Sequence, residues 1–271
     1  MALIHCNFYS YALGKDTGAY VILPEHRDLK EKRGKLKTLY LFHGLNDDYT
    51  KWVRKSSVER YAGKNDWIII MPDGEKGYYT DNVCGNDYGK YFGEELPKIM
   101  KATFPLISDQ REDTFIAGLS MGGYGSMRMA LNYPERYCAA ASFSGAINIR
   151  REMKDYPEYA KLYEKIFGSL DGNQLKPEND ETEENHKEDK NSSNTDKINL
   201  MEKIKKEGKP IPRMYISCGI QDDMYPQSRE FVKHMDKIGI SYTYEEWDGI
   251  HDWEFWDESI KRALPWFLKK N

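Results

Sequence analysis

Residues 114–131 read TFIAGLSMGGYGSMRMAL, and this stretch decides the fold that we expect for the chain. An apolar run that favours a strand, 115–117, leads into Gly-Leu-Ser-Met-Gly, and helix-forming residues follow. Gly118 and Gly122 stand two positions either side of Ser120, where larger side chains would collide across a tight strand-to-helix turn. The pattern predicts a nucleophile elbow, in which the helix N-terminus leaves free N–H groups beside the serine.

The composition narrows the class of protein. A chain of 271 residues is long enough to bury a sizeable α/β core. The formal net charge of −4 gives no electrostatic basis for binding nucleic acid or an anionic membrane. The amino-terminal residues lack the basic region and apolar core of a signal peptide, and no apolar run approaches the roughly 18 residues of a spanning helix. We therefore expect a soluble, cytoplasmic protein without a membrane partner.

Strand-like and helix-like segments alternate along the chain. Most strand-like runs are short, continuous apolar stretches, as expected for strands that are covered on both faces. The alternation predicts a doubly wound, mainly parallel sheet flanked by helices, with the chemistry in loops beyond the carboxyl ends of its strands. The strand-like runs are 19–23, 36–42, 67–71, 114–119, 139–143, 213–218 and 241–247, and the helical patterns are 51–62, 87–103, 121–131, 156–167, 226–238 and 253–268.

One segment interrupts this alternation. Residues 176–197 contain no aliphatic, aromatic, Met or Cys side chain, so they cannot bury enough surface to fold alone. They lie within a longer region, 149–212, that follows the fifth strand-like run, where a cap over a site would be inserted. We expect a single domain over 1–271 with 149–212 as a cap-like or disordered insertion. A surface loop without a role in function is an equal alternative for the polar segment.

A serine hydroxyl needs a general base before it can act as a nucleophile, and histidine is the usual base. Three histidines follow Ser120 in the chain. His186 lies in the polar segment, where nothing would hold it, and His234 lies within a helical pattern. His251 follows the last strand-like run, at the carboxyl end of a predicted strand. We therefore expect His251 to be the base.

The acid that orients this histidine should lie in the loop after the preceding strand. That loop contains Asp222 and Asp223, and spacing alone leaves the choice between them open. Asp248 and Asp252 are the competing carboxylates. Both are too close in sequence to the histidine to come from a separate strand end, and Asp252 instead suits the N-cap of the last helix.

Acyl transfer to a serine also requires two N–H donors that bind the oxyanion of the tetrahedral intermediate. One is the backbone of the residue after the serine, Met121. The other normally comes from an early strand-end loop, and the strand that ends at Phe42 is followed by His43, Gly44 and Leu45. Leu45 is the expected second donor. His43 is better interpreted as positioning this loop than as a base.

These residues belong to a larger set of sequence motifs that together resemble one known family. The set comprises Leu41 to Gly44 with Trp52, Met71 to Asp73, Gly77 to Asp81, Glu94 to Pro97, Phe115 to Tyr124, Ala141 to Gly145, Cys218 and Gly219 with Asp222 and Tyr225, and His251 with Trp253 and Trp256. It resembles the esterase D-like branch of the α/β-hydrolases, most of all bacterial tributyrin esterases of the EstA type. The likeness covers nearly the whole chain except roughly 149–212.

The resemblance implies an α/β-hydrolase fold and a serine carboxylesterase with Ser120, Asp222 and His251 as its catalytic residues. In that family the acid lies three residues after the glycine of the Cys-Gly pair, which selects Asp222 over its neighbour. Leu45 and Met121 are implied as oxyanion donors. The mechanism implied uses no metal and no cofactor.

The resemblance leaves the substrate less certain than the chemistry. It implies short-chain acyl or small aromatic acyl esters, of the acetyl, butyryl or feruloyl type, as small-molecule substrates, and it is compatible with a homo-oligomer. Trp52, Tyr79, Tyr225 and Trp253 could line a pocket for an aromatic acyl group, and all four could equally be packing residues. The alternatives are a thioesterase of the S-formylglutathione hydrolase type and a non-catalytic binding protein with the hydrolase fold.

Overall fold

The computed structural model describes residues 1–25, 34–168 and 197–269. Its strands are β1 (Ala2–Ser10), β2 (Lys15–Leu23), β3 (Thr38–Phe42), β4 (Ile68–Pro72), β5 (Thr114–Leu119), β6 (Ala139–Phe143), β7 (Arg213–Gly219) and β8 (Thr243–Trp247). Its helices are α1 (Lys51–Lys55), α2 (Val58–Ala62), α3 (Tyr88–Lys90), α4 (Leu96–Thr103), α5 (Met121–Asn132), α6 (Ile149–Asp155), α7 (Ala160–Phe167), α8 (Lys197–Lys206), α9 (Tyr225–Ile238) and α10 (Trp253–Phe267). A π-helical turn (Tyr91–Glu95) joins α3 to α4, and two short 3₁₀ turns are Arg111–Asp113 and Pro157–Tyr159.

The eight strands form one sheet in the order β1-β2-β4-β3-β5-β6-β7-β8. β1 pairs antiparallel with β2, and β2 pairs antiparallel with β4. All the other neighbours are parallel. The structure confirms the predicted mainly parallel sheet flanked by helices, and this is the architecture of an α/β-hydrolase.

Both faces of the central strands are covered, which explains their continuous apolar sequence. Every residue of β3 is buried. Because side chains alternate across a strand, Leu39 and Leu41 enter the core that contains α1, α2 and α10. Tyr40 and Phe42 enter the opposite core, which contains α4, α5 and α9. The sheet is therefore the central layer of three.

The structure differs from the sequence predictions at several elements. β1 was not predicted, because it is an edge strand whose residues alternate between exposed and half-buried and so form no apolar run. The single helix predicted over 51–62 is wrong, since the chain breaks at Ser56 and Ser57 into α1 and α2. The Ser57 N–H donates to Asp257 Oδ1 at 2.7 Å, which holds the break against α10. α6 was also not predicted.

The described residues contain no helix that is long and apolar enough to span a bilayer. The cytoplasmic location and the homo-oligomer stay predictions. The polar segment 176–197, including His186, lies outside the described residues except for Lys197, which begins α8.

The parallel strands bring four loops to one edge of the sheet. β3, β5, β6, β7 and β8 run in the same direction, so their carboxyl ends lie side by side. The loop after β3 carries Gly44 and Leu45, and the turn after β5 carries Ser120. The loops after β7 and β8 carry Asp222 and His251. Residues far apart in sequence therefore meet at this edge.

Asp252 caps α10, the helix that follows His251. Its side chain accepts a hydrogen bond from the Phe255 N–H at 3.0 Å, as the sequence suggested for this residue. We expect Asp252→Ala to cost about 1 kcal/mol of folding free energy, because an N–H at the helix start loses its partner. Thermal unfolding should show a Tm lower by about 2–4 °C. Asp252→Asn should keep most of the stability, and an equal loss in both variants would contradict the capping role.

Candidate active site

Ser120 lies on a strained turn between β5 and α5. Its backbone has φ 50° and ψ −118°, outside the regions that non-glycine residues commonly adopt. A Cβ added at Gly118 would lie 2.3 Å from the carbonyl oxygen of Gly122, and one at Gly122 would lie 2.6 Å from the carbonyl oxygens of Phe42 and His43. The turn therefore requires glycine at both positions, and it projects the serine from the edge of the sheet.

Ser120, His251 and Asp222 form a continuous hydrogen-bonded line. Ser120 Oγ lies 3.0 Å from His251 Nε2, and His251 Nδ1 lies 3.0 Å from each carboxylate oxygen of Asp222. With its proton on Nδ1, the ring donates to the carboxylate and leaves Nε2 free to accept the serine proton. Asp222 is 3 % exposed, whereas Asp223 is on the surface. Trp256 supports the imidazole edge-on, with ring centroids 4.9 Å apart.

The loops that carry the acid and the histidine are joined to each other by Gln221. Its backbone N–H donates to the Gly249 carbonyl at 3.1 Å, and its side-chain Oε1 accepts from the Gly249 N–H at 2.8 Å. Its Nε2 donates to Asp248 Oδ1 at 3.2 Å. The Met224 N–H donates to Asp222 Oδ1 at 2.7 Å, which holds the carboxylate itself. Sequence reasoning missed Gln221, because one amide side chain in a polar loop carries no recognisable signal.

The competing residues lie elsewhere. His234 is on the exposed side of α9, where its Nδ1 lies 3.0 Å from the Glu230 carbonyl oxygen. Asp248 is engaged by Gln221, and Asp252 caps α10. The structure thus brings together only one serine, one histidine and one aspartate of those considered.

The loop after β3 packs directly beside the serine. A Cβ on Gly44 would lie 3.7 Å from Ser120 Cβ and 2.7 Å from Leu119 Cδ1. His43 is fully buried; its Nδ1 lies 2.8 Å from the Gly44 carbonyl oxygen, and its Nε2 accepts from the Gly74 N–H at 2.9 Å. His43 therefore fixes this loop through both ring nitrogens, in agreement with its interpretation as a positioning residue.

Two backbone N–H groups belong to segments next to Ser120, one in sequence and one in space. Met121 is the first residue of α5, so its N–H has no carbonyl partner within the helix. Leu45 directly follows Gly44, the residue that packs against Ser120, and is half-buried. Both N–H groups belong to segments whose backbone is fixed by close contacts, as an oxyanion site requires.

The four aromatic residues named from the sequence fall into two groups. Trp52 and Tyr79 are fully buried and accessible to no ligand in this conformation. The Trp52 Nε1–H donates to the Phe42 carbonyl at 3.0 Å, and the Tyr79 hydroxyl donates to the His43 carbonyl at 2.9 Å, so both support the oxyanion loop. Tyr225 and Trp253 are half-buried at the first positions of α9 and α10.

A cavity of about 550 Å³ lies on the acid side of this site. Its wall includes Tyr156, Ile220, Asp222 and Tyr225, but neither the serine nor the histidine. Among the described residues, no group of three or more His, Cys, Asp or Glu is arranged to hold a metal ion.

Glu152 on α6 is a buried carboxyl group that the sequence did not reveal. It is 3 % exposed, and its Oε1 accepts a hydrogen bond from Gln227 Nε2 at 2.5 Å. Burial raises the pKa of Glu152 to about 7, although the hydrogen bond from Gln227 and the nearby His251 both act in the opposite direction. Its sequence context, IRREMKD, is that of a solvated helix and gave no sign of burial.

The raised pKa of Glu152 makes folding stability depend on pH. The native state keeps a proton that the unfolded chain releases from about pH 4.5 upward, so stability falls as the pH rises from 4.5 to about 7. Glu152→Gln has no carboxyl group to ionise and so avoids this loss of stability. We expect its Tm to exceed that of the native protein at pH 8, on the order of 5 °C, and to match it near pH 4.5.

Thermal unfolding from pH 4.5 to 8 would measure this difference. Glu164→Gln is the matched control, since Glu164 is an exposed carboxylate on the neighbouring helix α7. A Tm difference that does not change with pH would contradict the assigned environment of Glu152.

The chain is similar to known proteins along nearly its whole length. A family model described as putative esterase matches residues 10–267. An acetyl esterase of Caldicellulosiruptor saccharolyticus is 34% identical over 281 residues, covering 99% of each chain. A fluorophosphonate-binding serine hydrolase of Staphylococcus aureus, solved with substrate bound, has a TM-score of 0.86 at 32% identity over 99% of each chain. An S-formylglutathione hydrolase from the same organism has a TM-score of 0.81 at 31% identity, again over 99% of each chain. The chain therefore belongs to the esterase family, in its esterase D-like branch of α/β-hydrolases, and is a carboxylic ester hydrolase.

Proposed function

We propose that this serine esterase uses Ser120 as its nucleophile, His251 as its general base and Asp222 as the acid that orients the base. The observation that carries the proposal is the line of hydrogen bonds from Asp222 through His251 to Ser120, with distances of 3.0 Å at both steps. The three groups come from three different strand ends, in the chain order typical of the fold.

In this mechanism Ser120 Oγ attacks the ester carbonyl while His251 Nε2 takes the hydroxyl proton. Asp222 accepts from the ring Nδ1–H and stabilises the imidazolium that forms. The N–H groups of Leu45 and Met121 bind the oxyanion of the tetrahedral intermediate. His251 then returns the proton to the departing alcohol, and water hydrolyses the acyl-enzyme with the same groups.

We assign short-chain acyl esters as the substrate class, with small aromatic acyl groups of the feruloyl type as the larger members. The acetyl esterase from Caldicellulosiruptor saccharolyticus supports the short-chain assignment. The half-buried rings of Tyr225 and Trp253 are accessible for contact with substrate, in contrast to the buried Trp52 and Tyr79. We therefore propose Tyr225 and Trp253 as aromatic residues that contact a bound ester.

The region 149–212 is proposed to act as a cap within a single domain. Its described part contacts the loops around the site at two points. Asn46, next to the oxyanion loop, donates from Nδ2 to the Tyr159 hydroxyl at 3.3 Å. The hydroxyl of Tyr78, in the loop that contacts His43, lies 3.0 Å from the Tyr163 hydroxyl. These contacts support a cap that shapes the approach to Ser120.

A thioesterase activity is the second candidate. The S-formylglutathione hydrolase from Staphylococcus aureus, at 31% identity over 99% of each chain, favours it. A thioester differs from an ester in its leaving group, so the same serine, base and oxyanion donors would serve both. The choice between them depends on how the protein binds the leaving group.

Comparative kinetics test the substrate class. We expect kcat/KM to be highest for p-nitrophenyl acetate and butyrate, measurable for methyl ferulate and lowest for S-formylglutathione. A fluorophosphonate probe should label Ser120, and Ser120→Ala should lose both labelling and turnover. A clear preference for the thioester would replace the first function with the second. An absence of labelling would contradict the serine mechanism altogether.

Substitution of the two neighbouring aspartates tests the assignment of the acid. Asp222→Asn should lower kcat by about 10³- to 10⁴-fold, because the amide cannot stabilise the imidazolium and favours the wrong tautomer. Asp223→Asn should leave kcat within about twofold, since Asp223 is exposed. Steady-state hydrolysis of p-nitrophenyl acetate measures both, and the reverse order of losses would assign the acid to Asp223.

A further inference from the structure

Glu152 is a second carboxyl group close to the proposed catalytic residues, and the mechanism above does not use it. It is buried on α6, in a region of the chain outside the family likeness found from the sequence. A buried carboxyl group is costly to ionise unless other groups compensate its charge. The contacts of Glu152 indicate which groups could do so.

Gln227 holds Glu152 in one orientation. The Gln227 Oε1 accepts from the Asn148 N–H at 2.9 Å, and its Nε2 donates to Glu152 Oε1 at 2.5 Å. The same Nε2 lies 2.9 Å from Met224 Sδ. A single buried amide thus connects the start of α6 with α9, and the carboxyl group cannot rotate without breaking this connection.

The connection reaches the proposed acid in one further step. Met224, which touches the Gln227 amide, donates its N–H to Asp222 Oδ1 at 2.7 Å. Asp222 in turn lies 3.0 Å from His251 Nδ1. Glu152 is therefore held by the same layer of side chains that holds the acid, and His251, at the end of this layer, is among the charged groups that lower its pKa.

Charged and titratable groups face Glu152 from several elements. Asp222 and Asp155 raise the pKa of Glu152 after burial itself, and His251 lowers it. Arg151 is paired with Asp155, at 3.0 Å, on the outer side of α6. Tyr78, Tyr156 and Tyr163 also interact with Glu152, and they stay neutral below pH 10 because burial raises their pKa. Among these groups, His251 is the one whose positive charge the ionised carboxylate can favour.

We propose that Glu152 is a positioning residue of the esterase: its carboxylate, oriented by Gln227, stabilises the protonated form of His251 during acyl transfer. The inference rests on the proposed function, because it requires His251 to be the base. Electrostatic coupling is reciprocal. The imidazole favours the ionised form of Glu152, so the ionised carboxylate favours the protonated imidazole by the same amount. Since Glu152 ionises as the pH rises, its contribution to the rate grows from acidic to alkaline pH.

Glu152→Gln is the decisive variant, because the amide oxygen still accepts from Gln227 while the charge is lost. In a pH series of kcat/KM for p-nitrophenyl acetate, we expect the acidic limb to move to lower pH by about 0.5 unit. The value of kcat/KM on the alkaline plateau should fall by about threefold, because a change of about 0.5 pKa unit corresponds to about a threefold change in rate. A merely structural role would lower kcat/KM by one constant factor at every pH.

Two further variants separate charge from packing. Glu152→Leu removes the hydrogen-bond acceptor as well, and we expect the same displacement of the pH profile together with a Tm lower than that of Glu152→Gln. Glu164→Gln removes an exposed carboxylate from α7 and should leave the profile unchanged. A shift of equal size in Glu164→Gln would assign the effect to net charge and overturn the proposal.

An NMR titration of the His251 ring distinguishes this inference from the proposed function. The ring resonance of His251 is assigned by its loss in His251→Asn. The midpoint of its pH titration is then measured, without substrate, in the native protein and in Glu152→Gln. A lower midpoint in the variant, by about 0.5 pH unit, is the expected result. An unchanged midpoint overturns the role of Glu152 even where esterase activity and Ser120 labelling are intact. If the fluorophosphonate probe does not label Ser120, the proposed function fails. The titration midpoint of His251 still decides whether Glu152 and His251 are coupled.

Discussion

The turn at Ser120 is the constraint on which the rest of the site depends. Its positive φ persists only because the backbones of β3, β5 and α5 approach each other more closely than any side chain allows, at Gly118 and Gly122. That approach fixes the distance between the serine and the loop after β3. The same turn starts α5 beside the serine, so one strained residue places the Ser120 hydroxyl next to both segments that we propose as oxyanion donors.

Two buried carboxyl groups near His251 have different environments. Asp222 receives the Met224 N–H and the imidazole, and both of these favour its ionised form. Glu152 receives one amide N–H and otherwise faces buried tyrosines and other carboxylates, so burial dominates and raises its pKa to about 7. Hydrogen-bond donors therefore hold Asp222 beside the imidazole, whereas Glu152 is suited to change its charge near neutral pH.

The central fold and most of the site were predictable because each element carries a local signal. Continuous apolar runs mark strands that are buried on both faces, and glycines mark the turn at Ser120. The sequence did not reveal β1, Gln221 or Glu152, because their roles arise from tertiary contacts. β1 alternates as an edge strand, while Glu152 lies in a helix whose charged sequence is typical of a surface and is buried only by packing against α9. Spacing could not separate Asp222 from Asp223, since only the path of the loop decides which of two neighbours turns inward.

The loops around Ser120 and the described part of the cap are separate groups of contacts, and this bears on specificity. The elbow is fixed by close backbone approaches at Gly118 and Gly122, and the side chains of His43 and Gln221 hold the neighbouring loops. The described part of the cap is attached through side chains at Asn46 with Tyr159 and Tyr78 with Tyr163, and through the backbone at Val83 with Ile166. The two side-chain pairs do not belong to the line from Asp222 to Ser120, so substitution there would alter the cap before it alters that line. Relatives with the same fold and about one-third identity can therefore include both an acetyl esterase and an S-formylglutathione hydrolase.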